Sequence, residues 1–472
     1  MANENDDSIE KAFQALSLNT KTTEAVTLLS DASKTHVEIR ERLADPQTLK
    51  SLIEIIECNL SESLPTVDRA LRCLGNACAD NNSGRDAITS LGFSWAIQCL
   101  RSDDEETGIL TTKVLYNICS DHEGSQQQCY REKVHLELVR FLNLDAVVES
   151  EEYTFAVDLL LWITGHKAAL EPTLDEPLPD HQVAALLRLP RLYADQSDLD
   201  NFGSLVESVL AFLRDTTVQQ QIVELQVFMG IWTILELVED RGTSLDPEVE
   251  QDAEDLKVLA PLSTSLIWCM SDFAARADFA QAHANEVLRS VPNDHQDGDH
   301  TAMEVTGLVD RLIECIRDHA DDEFDAKRGI DGSLYTAACE TLGNLLWGST
   351  PEYSYLVGEE ELHAPLFRRI IRSGNGPSVA AILHSICGLL IQLSRPSRKV
   401  REEIGAHEEA LAALEILCRH EMSQIKQDSV KLLKALGKDC PRNQERFTDL
   451  AQEVLQAIRA SNDTTMAGAE PS

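Results

Sequence analysis

Aromatic residues make up only 5% of this 472-residue chain, and alternating β-branched runs are scarce. Little is left from which to build a sheet. Long apolar runs are missing too. ICGLLIQL at 386–393 is among the longest, well short of the roughly 20 residues that a membrane-spanning helix needs. The opening MANENDDSIE is acidic and polar, without the basic and apolar regions of a signal peptide, and no lipidation signal is present. A soluble protein with no direct membrane insertion is expected. Basic residues are in deficit: 41 Lys and Arg face 80 Asp and Glu, a formal charge of −39, which argues against nucleic acid as a partner. There is no CxxC among the twelve cysteines, whose closest pair is Cys73 and Cys78. Scattered on apolar stripes, they read as small buried hydrophobes. That excludes a disulfide framework and a zinc site, and points to a reducing compartment, the cytoplasm with the nucleus left open.

Catalytic signatures are equally absent. The chain has no GxxxxGK[ST], no GxGxxG after a strand, no HExxH and no GxSxG, so phosphate-cradling loops, zincin sites and hydrolase elbows have no support. Its thirteen histidines are dispersed, and the pair His295 and His300 lies in an acidic loop. Carboxylate pairs are everywhere in so acidic a chain, so none marks an acid/base couple. A non-catalytic protein without cofactor or metal is expected.

What the chain does have is repetition. TVDRALRCLGNACADNNSGRDAI, beginning at 66, is echoed by ILTTKVLYNICSDHEGSQQQC, with Asn76 answered by Asn117 after 41 positions. In the first copy Val67, Ala70, Leu71, Leu74, Ala77 and Cys78 fall on one helical stripe; in the second, Leu110, Val114, Leu115, Ile118 and Cys119 do. Off each stripe stands a polar column at four-residue steps: Arg72, Asn76 and Asp80, then Lys113, Asn117 and Asp121. Such a helix buries one side and offers basic, amide and carboxylate groups to a partner on another. Each repeat reads as a long helix, a short turn containing Gly84 or Gly124, a short helix, and a second long helix ending near Leu100 or Leu142.

A third copy, YTAACETLGNLLWGSTPEYSYLV from 335, places Asn344 in the same slot, and Gln392 and Gly437 follow near it at offsets of 48 and 45. These spacings match armadillo or HEAT units. The expectation is an all-α solenoid, one continuous right-handed superhelix. Residues 1–20 read as a flexible leader running into a first helix with Ile9, Ala12, Phe13 and Leu16 on one side. Residues 21–170 form N-terminal repeats, with a helix start at Pro46. Residues 171–334 are divergent helical repeats with Pro-containing and acidic loops at 171–181, 239–255, 291–300 and 318–332, and a continuous central helix over 219–238. Residues 335–460 are C-terminal repeats, and 461–472 a disordered tail. Charge is uneven: residues 366–472 hold 15 Lys and Arg against 13 Asp and Glu, leaving 26 against 67 in residues 1–365. A field of that sign draws basic segments.

LGNACADNNSGRDAI followed by LYNICSDHEGSQQQC resembles the armadillo repeats of the smg GTPase dissociation stimulator family, closely over 66–142 and more loosely over 22–170 and 335–460. The resemblance implies a binding protein for small GTPases of the Rho and Rap type, whose C-termini carry a basic cluster and a prenylated cysteine. It implies an electronegative concave surface, a prenyl-binding groove, release of bound nucleotide, and chaperoning before membrane delivery. Exchange of this kind needs only a surface that prefers the nucleotide-free GTPase. The residues expected to touch the partner are Asn76, Asn117 and Asn344, with amides that donate and accept, and Asp80 and Asp121, with charge for a basic tail. An Asn in a repeat can equally bridge its own helices. Alanine at both 76 and 117 is expected to weaken GTPase binding and leave the melt nearly unchanged. The competing reading is a general armadillo scaffold or transport adaptor for basic peptides. Such adaptors pair each groove Asn with a Trp; Trp347 stands three residues past Asn344, while Asn76 and Asn117 have none.

Overall fold

The computed structural model describes residues 2–18, 20, 22–167, 170, 177–195, 198–289, 307–322, 332–348 and 360–467, and among these there are helices and turns but no strand. Two compact units divide at Leu225 and Gln226. Unit 1 contains α1 (Ala2–Ser17), α2 (Thr22–Ser33), α3 (Val37–Leu43), α4 (Pro46–Asn59), α5 (Leu64–Cys78), α6 (Asn82–Leu91), α7 (Ser94–Leu100) and α8 (Glu105–Cys119). It continues through α9 (Glu123–Arg131), α10 (Val134–Leu142), α11 (Asp145–Val148), α12 (Thr154–Thr164), α13 (Asp180–Leu192), α14 (Leu199–Leu213) and α15 (Thr216–Glu224). Unit 2 contains α16 (Met229–Thr243), α17 (Glu250–Ala274), α18 (Ala277–Arg289), α19 (Leu308–Asp318), α20 (Ser333–Gly348), α21 (His363–Ser373), α22 (Ala380–Leu393), α23 (Arg398–Ala406), α24 (Ala410–Cys418), α25 (Ser423–Gly437) and α26 (Pro441–Ala467).

In unit 1 the helices stack in ladders. The long α2, α5, α8, α12 and α14 pack each on the next, beside a row of α4, α7, α10 and α13 and another of α6 and α9. Unit 2 repeats the scheme with α17, α20, α22 and α25 as its long row. Two shorter helices and a long one per repeat, each covering its neighbour's apolar face, make an armadillo-type α-solenoid. The predicted stripes are the core: Val67, Ala70, Leu71, Leu74, Ala77 and Cys78 are fully buried, as are Leu115, Ile118 and Cys119, with Val114 nearly so. Leu110 is only half-buried.

Several boundaries differ from expectation for local reasons. The helix expected to run long to Leu100 or Leu142 is short in both repeats, α7 (Ser94–Leu100) and α10 (Val134–Leu142), because Gly92 (φ 86°) and Lys133 (φ 64°) just ahead of them take left-handed backbone after α6 and α9. Gly84 and Gly124, expected in turns, sit within α6 and α9, and at Gly84 the packing admits no side chain, since a Cβ there would stand 2.7 Å from the Ala77 carbonyl oxygen. The helix expected over 219–238 is two helices, α15 ending at Glu224 and α16 beginning at Met229, parted where Gln226 has φ 57°. The leader is itself helical, with Ala12 and Leu16 buried and Arg42 lying 4.0 Å over the Phe13 ring. At the other end α26 runs on to Ala467, into the segment expected to be tail. Pro46 does open α4, where the Asp45 carboxylate accepts from the amides of Gln47 and Thr48. The loop at 291–300, most of 318–332, residues 171–176 and residues 468–472 lie outside the described residues.

Eleven of the twelve cysteines are buried and all are free thiols; only Cys58 is exposed. Burial pushes Cys73, Cys78 and Cys99 up to about 12, leaving them unreactive packing groups. Among the described residues no single helix is long and apolar enough to cross a membrane.

Candidate partner-binding faces

The ends of the long helices carry the motif, and one device places them. A side chain seven positions downstream, on the following helix, donates to the last carbonyls: Arg40 to Ser33 (2.8 Å), Arg85 to Cys78 (3.1 Å), Gln126 to Cys119 (2.8 Å), Arg401 to Ser394 (3.2 Å) and Gln444 to Gly437 (2.6 Å). These bonds satisfy acceptors that every helix C-terminus leaves open. To bring the short helix back, the chain must turn sharply, and Asp80 (φ 53°), Asp121 (φ 52°) and Asp439 (φ 53°) make that turn in left-handed backbone. Aspartate tolerates this conformation better than most residues. The recurrence of Asp in the motif therefore has a backbone cause, and Asp80 and Asp121 emerge exposed just beyond the ends of α5 and α8.

Asn76 and Asn117, nine positions before their capping residues, are half-buried on adjacent long helices. Asn76 Nδ2 donates to Ser33 Oγ at 2.8 Å and Asn117 Nδ2 to the Gly75 carbonyl at 3.4 Å. Each amide nitrogen thus ties its helix to the previous one, and no hydrogen bond reaches either Oδ1 among the described residues. Alanine at both positions would remove two such ties, about 1 kcal/mol each, so the expectation of an unchanged melt needs correction. The same register assigns Gln392 to the slot in α22, and moves the slot in α25 from Gly437 to Ala435.

Beside this row unit 1 carries groups that the periodicity did not single out. Trp162 stands in α12 two residues before the helix end, where α5 and α8 have Asn. It packs on Tyr116 (centroids 4.9 Å apart), which also meets Phe155 edge-on at 5.1 Å. The next repeat therefore brings a Trp beside Asn117's neighbour, although no Trp follows Asn117 in sequence. Lys113 is held by Glu152 at 2.6 Å. Asp68 and Asp158 keep raised pKa values, through burial first and then through nearby carboxylates, Asp104 and Glu106 for one and Asp198 for the other. Neighbouring carboxylates that raise Asp68 and Asp158 mark a locally negative face.

In unit 2 the long row forms a groove of about 580 Å³, walled by α17, α20 and α22 and lined also by Met422, Gln424 and Ile425. Asn344 lies in its wall, with Nδ2 donating to the Ser271 carbonyl (3.2 Å) and Oγ (3.0 Å) of α17. Gly388 lines it, and a Cβ built there would meet nothing within 4 Å. One turn before Asn344 is Glu340, half-buried and in no ion pair among the described residues. Burial raises its pKa against the lowering influence of His384 and Ser271. His384 bonds through Nδ1 to Asp428 at 2.7 Å, and Lys431 reaches the same carboxylate at 2.7 Å. Burial opposes ionisation of Asp428, but these bonds prevail and lower its pKa. Trp268, 69% exposed, lines the groove, and Trp347 at the end of α20 is 61% exposed. Sequence reasoning reached Asn344, Gln392 and Trp347; Glu340 shares the helical stripe of Asn344 and Trp347 in CETLGNLLWG and was legible, whereas Trp268 lies in a stretch without a motif. Among the described residues no cluster of three or more His, Cys, Asp or Glu could hold a metal ion.

No protein-family model matches the sequence. No curated protein matches it either. Solved structures similar to it include an engineered protein from the Northeast Structural Genomics Consortium, 18% identical, with 54% of this chain and 97% of that one covered and a TM-score of 0.37. A designed armadillo repeat protein in complex with a (KR)4 peptide is 17% identical, with 53% and 98% covered and a TM-score of 0.37. A further designed armadillo repeat protein is 19% identical, with 53% and 98% covered and a TM-score of 0.36.

Proposed function

We infer that the chain is a non-catalytic cytoplasmic binding protein whose long-helix faces hold a basic segment of a protein partner. The observation that carries this reading is Glu340 in the unit 2 groove, a half-buried carboxylate that has no ion pair among the described residues. A partner cation would relieve its desolvation. The exposed faces of Trp268 and Trp347 suit the stem and charge of Lys or Arg. The Oδ1 of Asn344, which accepts no hydrogen bond among the described residues, offers an acceptor for the partner's main chain. The acidic excess of residues 1–365 speeds the encounter.

The partner that the motif resemblance over 66–142 implies is a small GTPase of the Rho or Rap type with a polybasic, prenylated C-terminus. Binding its nucleotide-free form in preference would release the nucleotide without any catalytic base. The scaffold reading draws on one feature of its own, the pairing of Asn344 with Trp347 three residues on. The deciding experiment mixes the protein with Rho and Rap GTPases loaded with fluorescent GDP and follows release, alongside titration of a labelled Lys/Arg peptide. Accelerated release supports the exchange reading. Peptide binding without acceleration supports the scaffold, and neither overturns both.

A further inference from the structure

A second groove lies in unit 2, away from Glu340. Each long helix inside the solenoid is covered by its successor, as α20 is by α22 and α22 by α25. After α25 the pattern changes. α26 begins like a short first helix, with Gln444 capping Gly437, but continues as one helix to Ala467. Between α25 and α26 is left a trough of about 1010 Å³ with Val430, Leu433, Phe447, Val454 and Leu455 in its lining. Leu455 is 42% exposed. The charged groups lining it are Lys431, Lys434 and Lys438 against Asp439 alone. Lys431 is engaged by Asp428, whereas Lys434 and Lys438 are exposed and in no ion pair among the described residues.

We propose that this trough, between α25 and the α26 helix packed along it, is a docking site for an acidic amphipathic helix from a partner protein. Two observations choose that occupant. Within the units α5, α8, α12 and α14, and α20, α22 and α25, each lie along the preceding long helix, burying apolar groups spaced three and four apart against the same ridges. The lysine rim then selects the sign of the flanks. A second copy meeting the first trough to trough would set lysines against lysines, which disfavours it.

The probe is a fluorescein-labelled helical peptide of about 15 residues, ~22 Å long to match α25, with leucines at three- and four-residue spacing and glutamates flanking them. Its counterpart carries lysines in place of the glutamates. Binding to the full chain is read by anisotropy, with circular dichroism melts as the fold control. The glutamate peptide should bind at least about tenfold more tightly than its counterpart, less so as salt rises. Ala451→Trp, which fills the trough, and Leu455→Glu should each lower affinity by about tenfold without moving the melt. The double change Lys434→Glu with Lys438→Glu should reverse the preference. Equal affinity for the two peptides overturns the proposal, as does indifference to Ala451→Trp. Sedimentation showing self-association that Leu455→Glu abolishes would give the trough to a second copy and overturn it too.

Discussion

Gly388 separates the stability of the unit 2 groove from its use. A glycine inside α22 forgoes helix propensity, and replacing it with alanine should stabilise the helix by ~0.5–1 kcal/mol provided the new methyl meets no obstacle. It meets none, since a Cβ at 388 has no heavy atom within 4 Å. For a cooperative unit of this size that gain raises the melting temperature by about 1–4 °C. Gly388→Phe makes a smaller backbone gain over glycine but projects a ring into a groove of about 580 Å³, where a partner's side chain would otherwise lie. It should therefore melt no lower than the parent while binding a labelled Lys/Arg peptide at least about tenfold more weakly. Differential scanning calorimetry and fluorescence anisotropy on the same preparations read the two effects. If Gly388→Ala lowers the melting temperature, the space beside α22 is not open. If Gly388→Phe keeps its affinity for the peptide within about twofold, the groove is not where the basic segment sits.

Glu340→Gln should move stability and binding in opposite directions. The raised folded pKa means that the folded state holds the Glu340 proton more tightly than the unfolded chain, so its contribution is most favourable below the usual value near 4.5 and is lost as pH rises through the folded value. At neutral pH the amide should therefore melt higher, and it should bind the basic peptide more weakly. In the parent, affinity should rise with pH through the same interval, and a flat pH profile by anisotropy would refute the role of Glu340. At the turn after α5, Asp80→Gly should keep or raise stability, whereas Asp80→Val should lower it by ~1–2 kcal/mol, because the left-handed φ of 53° is strained for a branched side chain. Urea unfolding checks both. A loss of GTPase or peptide binding in Asp80→Gly at unchanged stability would show that the carboxylate itself meets the partner.

The solenoid was legible wherever one face of a helix is apolar and the next repeat looks the same. LRCLGNAC, VLYNIC and AACETLGNLLWG gave α5, α8 and α20, and their buried stripes followed from spacing alone. The break between α15 and α16 was not legible, because QIVELQVFMGIWTILEL is apolar on every side and periodicity has no contrast there in which to register the turn at Gln226. Nor could spacing show that Asn76 and Asn117 spend their amide nitrogens on Ser33 and Gly75, 43 and 42 positions away. A polar residue off the apolar stripe reads the same whether it reaches the neighbouring repeat or a partner. Trp268 and Trp232 show the matching limit: one is 69% exposed and the other 2%, and only the packing of neighbouring helices separates them.

The side chains that close off the long helices also decide where this chain can be divided. Arg85 serves two masters, its Nε donating to Cys78 at 3.1 Å and, across the seam between repeats, to Asn117 at 2.9 Å. A fragment cut after α5 would strip Cys78 of its donor, and one begun at α8 would strip Asn117. Repeats that look interchangeable on paper are therefore latched in overlapping pairs, and a viable excision has to carry the following short helix with it.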